Sequence, residues 1–399
     1  AVPQLSPVFP DGSIAVALLC LTAVGCSNSD DVIPSNTAGT APPIDEIRIG
    51  LEGPLTGAHS HVGTGMLNGA RMAADELNAA GGIDGKLIVI VGIDDQADPN
   101  TGVAAANEAI AGGLSGIVGP YNSGVGARTL PIYIDAGLIP LRLTSADETA
   151  GLGFTLQPMT SQIAPVATIA ITQWAAANSV ALIYDESADY TVDAKDAMSN
   201  AIAATGATIS AEVAITPGSD SYVDAVAEAT AGDVDLVYVI TYYPEGGLIA
   251  QAMLEAAPDT RCLADYGAYD AGYVTAAGVP AAQNCPVVGV PAPDDFPDSA
   301  ARVATYSDAF NEIPGTWTPY TYDSVMLLVT AASEAGSFDE AALRAALQAT
   351  SEWRGWTGSV SFDASTGNRQ PAPVVVLSTR DDGTLHVNED WRTATGFEF

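Results

Sequence analysis

Short apolar runs recur through the chain, separated by stretches of helical period. The runs are IRIGLEG (47–53), LIVIVGI (87–93), GIVGP (116–120), IPLRL (139–143), VALIYD (180–185), VDLVYVI (234–240) and PVVGV (286–290). Between them lie segments such as GARMAADELNAA (69–80) and TGVAAANEAIAG (101–112), whose apolar residues repeat at three and four. Nearly all-apolar strands alternating with helices predict parallel sheets covered on both faces. Proline interrupts the series in LQPMTSQIAP (156–165) and again in VPAPDDFPDS (290–299). Beyond residue 357, SVSFD, PVVVLST and TLHVNED read as antiparallel strands. The expected architecture is two α/β lobes with several chain crossings between them. At 399 residues, the chain exceeds what one hydrophobic core usually holds. Ligands of open parallel sheets bind beyond the carboxyl ends of the strands, so a cleft between the lobes is the expected site.

Charge excludes one class of partner. There are 48 acidic against 13 basic side chains, a net charge of −35, and only Lys86 and Lys195 are lysines. Such a surface repels phosphates and argues against nucleic-acid binding.

The four cysteines form two pairs in sequence. Cys20 and Cys26 belong to an N-terminal segment in which residues 13–25, SIAVALLCLTAVG, are uncharged. That run is short for a membrane span and reads as a signal-peptide core, the other reading being a buried N-terminal helix. AVGC followed by the polar tract SNSDDVIPSNTAGTAPP resembles a bacterial lipoprotein signal, with Cys26 the lipidated residue. No Lys or Arg precedes Arg48, so the basic region of such a signal is absent from this sequence. Export places Cys262 and Cys285 in a disulfide-permissive compartment. A bridge would close a loop of about 24 residues, worth on the order of 3 kcal/mol. Two free buried thiols are the alternative, and the spacing fits no zinc signature.

Three loops carry the candidate chemistry. LEGPLTGAHSHVGTGMLNGA (51–70) holds Gly53, Gly57, Gly63, Gly65 and Gly69 between a strand and a helical pattern, as in turns that bring backbone close to a ligand. It is not a P-loop, and its glycines are spaced one residue too widely for a dinucleotide fingerprint. IVGPYNSGVGAR (117–128) also follows a strand and opens a helix. Free N–H groups there, with the Ser123 hydroxyl and flanking Tyr121 and Asn122, suit a carboxylate. TSADET (144–149) adds Thr144 and Ser145 as donors or as helix caps.

In sum IRIGLEGPLTG, GARMAADELNAAGGIDG, IDDQADP, GIVGPYNSG and GLIPLRLTSADET resemble the N-terminal lobe of the leucine/isoleucine/valine-binding proteins. These are type I periplasmic binding proteins that feed ABC importers. IYDESADY (183–190) and YYPEGG (242–247) extend the resemblance into the second lobe. It implies two Rossmann-like lobes with parallel sheets, joined by a three-crossing hinge and closing on an amino acid. The corresponding division is a signal peptide at 1–26, a linker at 27–45, a first lobe of 46–158 plus 293–352, and a second of 159–292 plus 353–399. It implies that Ser123 binds the ligand's α-carboxylate, with Ser145 and Ala146 adding contacts. It also implies that Tyr190 and Tyr242 line the closed cleft. Within LADYGAYD (263–270), Asp265 is the expected partner of the ligand ammonium, although strict register falls on Tyr266, and Asp270 is an alternative.

Two positions depart from the family pattern. Val62 stands where a family aromatic lines the pocket, and Asp147 where a threonine often faces the ligand carboxylate. An acid there would repel the ligand unless it turned away or were countered by Arg142. His59 and His61 form an H-x-H pair, too few for a metal site without a third ligand. DDQADP (94–99) lacks the repeated spacing of a calcium loop and reads as a solvated loop and helix cap. His59, His61 and His386 are the only histidines, no Cys/His pairing is evident, and G-x-S-x-G is absent, so catalysis is not expected.

The resulting expectation is a monomeric, lipid-anchored solute-binding protein at the periplasmic or cell-surface face of the membrane. It has no cofactor and no metal, and serves an ABC permease. Its ligand is a branched-chain or related amino acid, or an amide. A sensory protein of the same fold is the alternative.

Overall fold

The protein's structure is a computed structural model, and it describes residues 46–396. The lipidation candidate Cys26, the signal segment and the 27–45 tract lie outside the described residues. Among those described, no helix is long and apolar enough to cross a membrane.

The first lobe is built from β1 (Glu46–Gly53), α1 (Ser60–Ala79), β2 (Leu87–Asp94), α2 (Pro99–Ala111), β3 (Gly116–Val118), α3 (Ser123–Asp135) and β4 (Pro140–Leu141). All pairings are parallel, in the order β2-β1-β3-β4. The second lobe begins with α4 (Thr160–Ile169). There follow β5 (Ser179–Asp185), α5 (Asp189–Thr205), β6 (Thr208–Ile215), α6 (Val223–Ala229), β7 (Leu236–Ile240), α7 (Tyr243–Ala256) and β8 (Arg261–Ala264). Two short helices, α8 (Ala271–Ala277) and α9 (Val279–Asn284), lead to β9 (Val287–Gly289). The chain then supplies α10 (Ala300–Phe310), α11 (Thr318–Ala335) and α12 (Glu340–Gln348), of which α11 packs on α1 of the first lobe. A small hairpin, β10 (Trp353–Gly355) with β11 (Gly358–Val360), precedes β12 (Val375–Thr379), β13 (Leu385–Val387) and α13 (Glu389–Thr395). The second sheet runs β13-β12-β9-β8-β7-β5-β6, with β12 antiparallel to both neighbours.

Each apolar run of the sequence contains a strand. Three strands have no counterpart among the strand-like segments of the sequence: β6, β8 and the hairpin strand β10, WRG. β6, TISAEVAI, lies at the sheet edge and alternates exposed with partly or fully buried residues. β8, RCLA, is only four residues long. Cys262 in β8 and Cys285 just before β9 are joined by a disulfide.

The glycines of 63–69 lie inside α1, not in a loop, which corrects the reading of that stretch as a ligand-approaching turn. They serve close packing. A Cβ on Gly69 would collide with the Thr318 carbonyl and lie 2.6 Å from Thr321 Oγ1, and one on Gly63 would meet the Pro54 carbonyl. The α1–α11 contact is fastened by hydroxyls on bare backbone: Thr318 Oγ1 donates to the Gly65 carbonyl at 3.0 Å, and Thr321 Oγ1 to that of Met66 at 2.9 Å.

DDQADP also departs from a uniformly solvated loop. Asp98 caps α2 through the Thr101 N–H at 2.7 Å, as its position suggests. Asp94 gathers the turn after β1, accepting from Leu55 and Thr56 N–H groups and the Thr56 hydroxyl. Asp95, between them, is fully buried.

Candidate functional site

β3 ends against a loop that turns directly into α3. Asn122 is the N-cap residue in extended backbone, and Ser123 is the first helical residue. The free N–H groups of that helix start therefore lie at the carboxyl edge of the first sheet. Ser123 is buried, and its Oγ accepts the Ala146 N–H at 3.1 Å, tying the loop after β3 to the loop after β4. TSADET holds only a single 3-10 turn, Asp147–Thr149, so no second α-helix dipole faces the site.

Ser123 lines a narrow pocket between the lobes. The loops around β3 and β4 contribute Tyr121, Ser123, Leu143, Ser145 and Gln157, and the second lobe contributes Tyr190, Tyr242, Tyr266 and Gly267. Tyr190 comes from the first turn of α5, and Tyr242 caps α7, which a proline opens. Aromatic rings close the wall: Tyr242 lies 6.1 Å from Tyr121, 5.9 Å from Tyr190 and 5.0 Å from His59. Trp317, in the loop before α11, is 5.7 Å from Tyr121 and 5.4 Å from Tyr266, so it bridges both lobes.

Not every expected residue reaches the wall. Thr144 is buried in a hydroxyl network with Thr149 at 2.7 Å and Arg142 at 3.4 Å. Ala146 contributes its N–H to Ser123, and Asn122 its place at the cap. Asp265 sits behind the wall, its oxygens accepting from Tyr190 Oη at 2.6 Å and Tyr238 Oη at 2.5 Å. Burial pushes its carboxyl above the usual range, with the two tyrosine bonds opposing that push. Asp147 turns away, accepting from Ser161 Oγ at 2.8 Å, so it does not oppose a bound carboxylate. Arg142 is not turned to the pocket either: its guanidinium is buried against Thr144 and Asn368. Val62 is buried in α1 and forms no part of the wall.

His59 and His61 diverge. His59 packs on Tyr242 and Tyr243, and burial lowers its proton affinity. His61 crosses the cleft to Asp270, 3.0 Å away.

Gln157 and Trp317 were not expected from the sequence. Gln157 donates to the Leu143 carbonyl and, at 3.1 Å, to Ser145 Oγ, and its own oxygen lies 3.4 Å from Tyr266 Oη. It falls in the proline-bearing stretch that reads only as a crossing, and Trp317 falls in a loop without periodicity.

The lining residues are all uncharged, and they include no nucleophile paired with a base. The arrangement presents amides and hydroxyls on one side and tyrosine rings on the other. That composition suits enclosure of a small molecule between the two lobes.

Comparison with known proteins agrees with this geometry. The family model of the periplasmic binding protein matches residues 46–384. A Leu/Ile/Val-binding protein homolog 2 from Brucella abortus is 28% identical over 349 residues, 85% of this chain and 92% of its own. The Leu/Ile/Val-binding protein BraC3 of Rhizobium johnstonii is 31% identical over 302 residues, covering 74% of this chain and 81% of its own. Among solved structures, the substrate-binding protein LivJ of Streptococcus pneumoniae superposes with a TM-score of 0.75 at 24% identity, covering 86% of this chain and 98% of its own. The leucine-binding protein LivK of Thermotoga maritima gives 0.79 at 21%, covering 86% and 97%. The two-lobed architecture, the pocket between the lobes and these relatives together show that the chain belongs to the leucine/isoleucine/valine-binding family of type I periplasmic binding proteins, solute-binding proteins rather than enzymes.

Proposed function

We propose that the protein captures a branched-chain or related amino acid, or an amide, outside the cytoplasm and presents it to the permease of an ABC importer. The ligand's carboxylate rests on the α3 N-terminus and Ser123. Asp265, held by the pocket-lining Tyr190, supplies negative charge towards the ammonium. Tyr190 and Tyr242 cover the side chain as the lobes hinge together. Contacts made to both lobes at once favour the closed form. A lipid on Cys26, with the 27–45 tract as a tether, holds the protein at the membrane.

One observation supports this reading above the others: a single pocket takes Ser123, at a helix start, from one lobe and Tyr190 and Tyr242 from the other. The Streptococcus pneumoniae relative was solved with isoleucine, and the Rhizobium and Brucella relatives carry Leu/Ile/Val-binding names. A second reading has its own support. No acidic side chain reaches the pocket wall, so a carboxylate or amide without an ammonium also fits.

The test is thermal melting of the purified chain against the common amino acids, small amides and aromatic acids. A ligand at 100 times its dissociation constant stabilises the folded state by about 2.7 kcal/mol. Leucine, isoleucine or valine should raise the melting temperature, and Ser123→Ala should remove the rise. A shift with acids lacking an ammonium alone selects the second reading. No shift with any compound overturns both.

A further inference from the structure

Both ring nitrogens of His386 have close partners, and those partners decide where its proton sits. Nε2 lies 3.1 Å from Thr384 Oγ1. That hydroxyl gives its one hydrogen to Asp382 Oδ1, 2.6 Å away, an exposed carboxylate that only accepts at neutral pH. Thr384 has no hydrogen left to offer, so Nε2–H is the donor to it. In a neutral ring, Nδ1 is then a bare lone pair. It faces Asp295 Oδ1 at 2.9 Å and Asp294 Oδ1 at 3.7 Å. A cation, either a proton on Nδ1 or a metal ion, must sit among these three electron-rich atoms.

The spacing fits a metal ion. The three donor atoms lie within 4.8 Å of one another. Around an ion with bonds of about 2.1 Å, adjacent donors stand about 3.0 Å apart in an octahedron and about 3.4 Å in a tetrahedron. The observed 2.9 and 3.7 Å bracket those edges. One imidazole with two carboxylates suits a first-row transition ion better than calcium, which favours an all-oxygen shell. The outer shell is also in place. Thr384 fixes the ring through Nε2, and the other oxygen of Asp295 accepts the Val387 N–H at 2.9 Å, leaving Oδ1 for the ion. The site has an entrance: Asp294 is half exposed, and it lines, with His386, a surface pocket.

We infer that Asp294 Oδ1, Asp295 Oδ1 and His386 Nδ1 form a binding site for a divalent first-row transition metal ion such as Zn2+ or Mn2+, completed by water. The ion would pin the proline-rich chain crossing after β9 to the edge strand β13. If the ring is protonated beforehand, binding releases that proton to solvent. The site lies apart from the pocket that Ser123 lines and does not depend on the ligand assigned to it.

The purified chain, stripped with a chelator, is titrated calorimetrically with Zn2+, Mn2+, Co2+ and Ni2+ in a large excess of Mg2+, which occupies unspecific surface carboxylates. Retained metal is counted by elemental analysis. One ion per chain is expected, and Asp294→Asn and His386→Gln should each weaken it by about 10-fold or more. Asp294→Asn alters only a half-exposed side chain, and an unchanged melting curve of the metal-free variant establishes that it folds. Co2+ should give a visible absorption band in the wild type that His386→Gln abolishes. The inference is overturned if the wild type retains no ion, or if both variants bind as the wild type does. In that case Nδ1 carries a proton, and the trio is a histidinium held by two carboxylates.

Discussion

His61 Nδ1, in α1 of the first lobe, lies 3.0 Å from Asp270 Oδ1, which opens α8 in the second lobe. The same carboxylate oxygen accepts the Gly272 N–H at 2.7 Å, so the acid is fixed in place and the histidine reaches to it. Nearby, Tyr243 Oη donates across the cleft to the Ala58 carbonyl at 2.7 Å. These contacts join the lobes only when they are shut. The hydrogen bond to Asp270 raises the proton affinity of His61; burial opposes this, and Asp270 and Glu312 add attraction. A raised histidine pKa stabilises the closed form below the ordinary value, and that contribution is lost as pH rises through the raised one. Ligand affinity should therefore fall as pH is raised from about 5 to 8. The His61 side chain is 58% exposed, so solvent screening limits the effect to about fivefold or less. His61→Gln should flatten the profile, read by calorimetry across that range. An identical slope in the variant would remove His61 from closure.

Asp95 gives the opposite setting, a carboxyl buried without a cation. Its Oδ1 accepts the Ala97 N–H at 2.8 Å, and burial pushes its pKa from 3.8 to about 7. The folded state then holds a proton that the unfolded chain releases near its ordinary pKa. Stability is greatest below about pH 4 on this account and declines as pH rises to about 7, by at most roughly 4 kcal/mol. Glu52, also fully buried and also raised by burial, acts in the same direction. Asp95→Asn keeps an acceptor for Ala97 and should reduce the decline in denaturant melts across this range. Glu52 leaves a remainder.

Gly69 lies where α1 meets α11, with the Thr318 carbonyl against its missing side chain. A backbone carbonyl cannot swing aside as a side-chain end can, so the helices must part to admit a Cβ. Gly69→Val should cost about 1–3 kcal/mol by overpacking. Gly57 has nothing within 4 Å of a built Cβ, but its φ of +87° strains any other residue. Chemical denaturation of Gly69→Val and of Gly81→Asn, an exposed turn control, separates helix packing from general loss of glycine.

The Cys262–Cys285 disulfide links β8 to the entry of β9, neighbours in the second sheet. Reduction, or Cys262→Ala with Cys285→Ala, should lower stability by about 3 kcal/mol. Melting with and without reductant measures it, and a reductant-insensitive melt would mean that the bridge adds nothing.

Much of the fold is legible in the sequence because buried parallel strands write themselves as apolar runs. β6 escapes that signature because an edge strand keeps exposed residues, and β8 because four residues, one an arginine, carry no period. The glycines of α1 mislead for a different reason. Their helix propensity is poor, and only tertiary neighbours explain the missing side chains: the Pro54 carbonyl at Gly63, and at Gly69 the helix α11, some 250 residues away. At the site, Ser123, Ser145, Tyr190 and Tyr242 follow from loops after strands. Gln157 reaches the pocket, and Trp317 the aromatic rings behind its wall, by tertiary folding alone. The direction of Asp147 is likewise invisible in sequence, since it is set by its bond to Ser161.

The packing of α11 on α1 bears on how the chain can be made and divided. The first lobe has its sheet complete by residue 141, yet the helix that covers α1 runs from Thr318 to Ala335. A ribosome or translocon delivering the chain from its N-terminus leaves that face of α1 bare while the whole second sheet through β9 emerges. Contacts of such long range slow folding, and the bare face is one a chaperone would hold. For the same reason no single cut yields two independent halves. Cleavage between 141 and 160 strands the first sheet without α11. A permuted chain that opens in the loop before α10 and joins the present ends would instead bring α11 and α1 closer together in sequence.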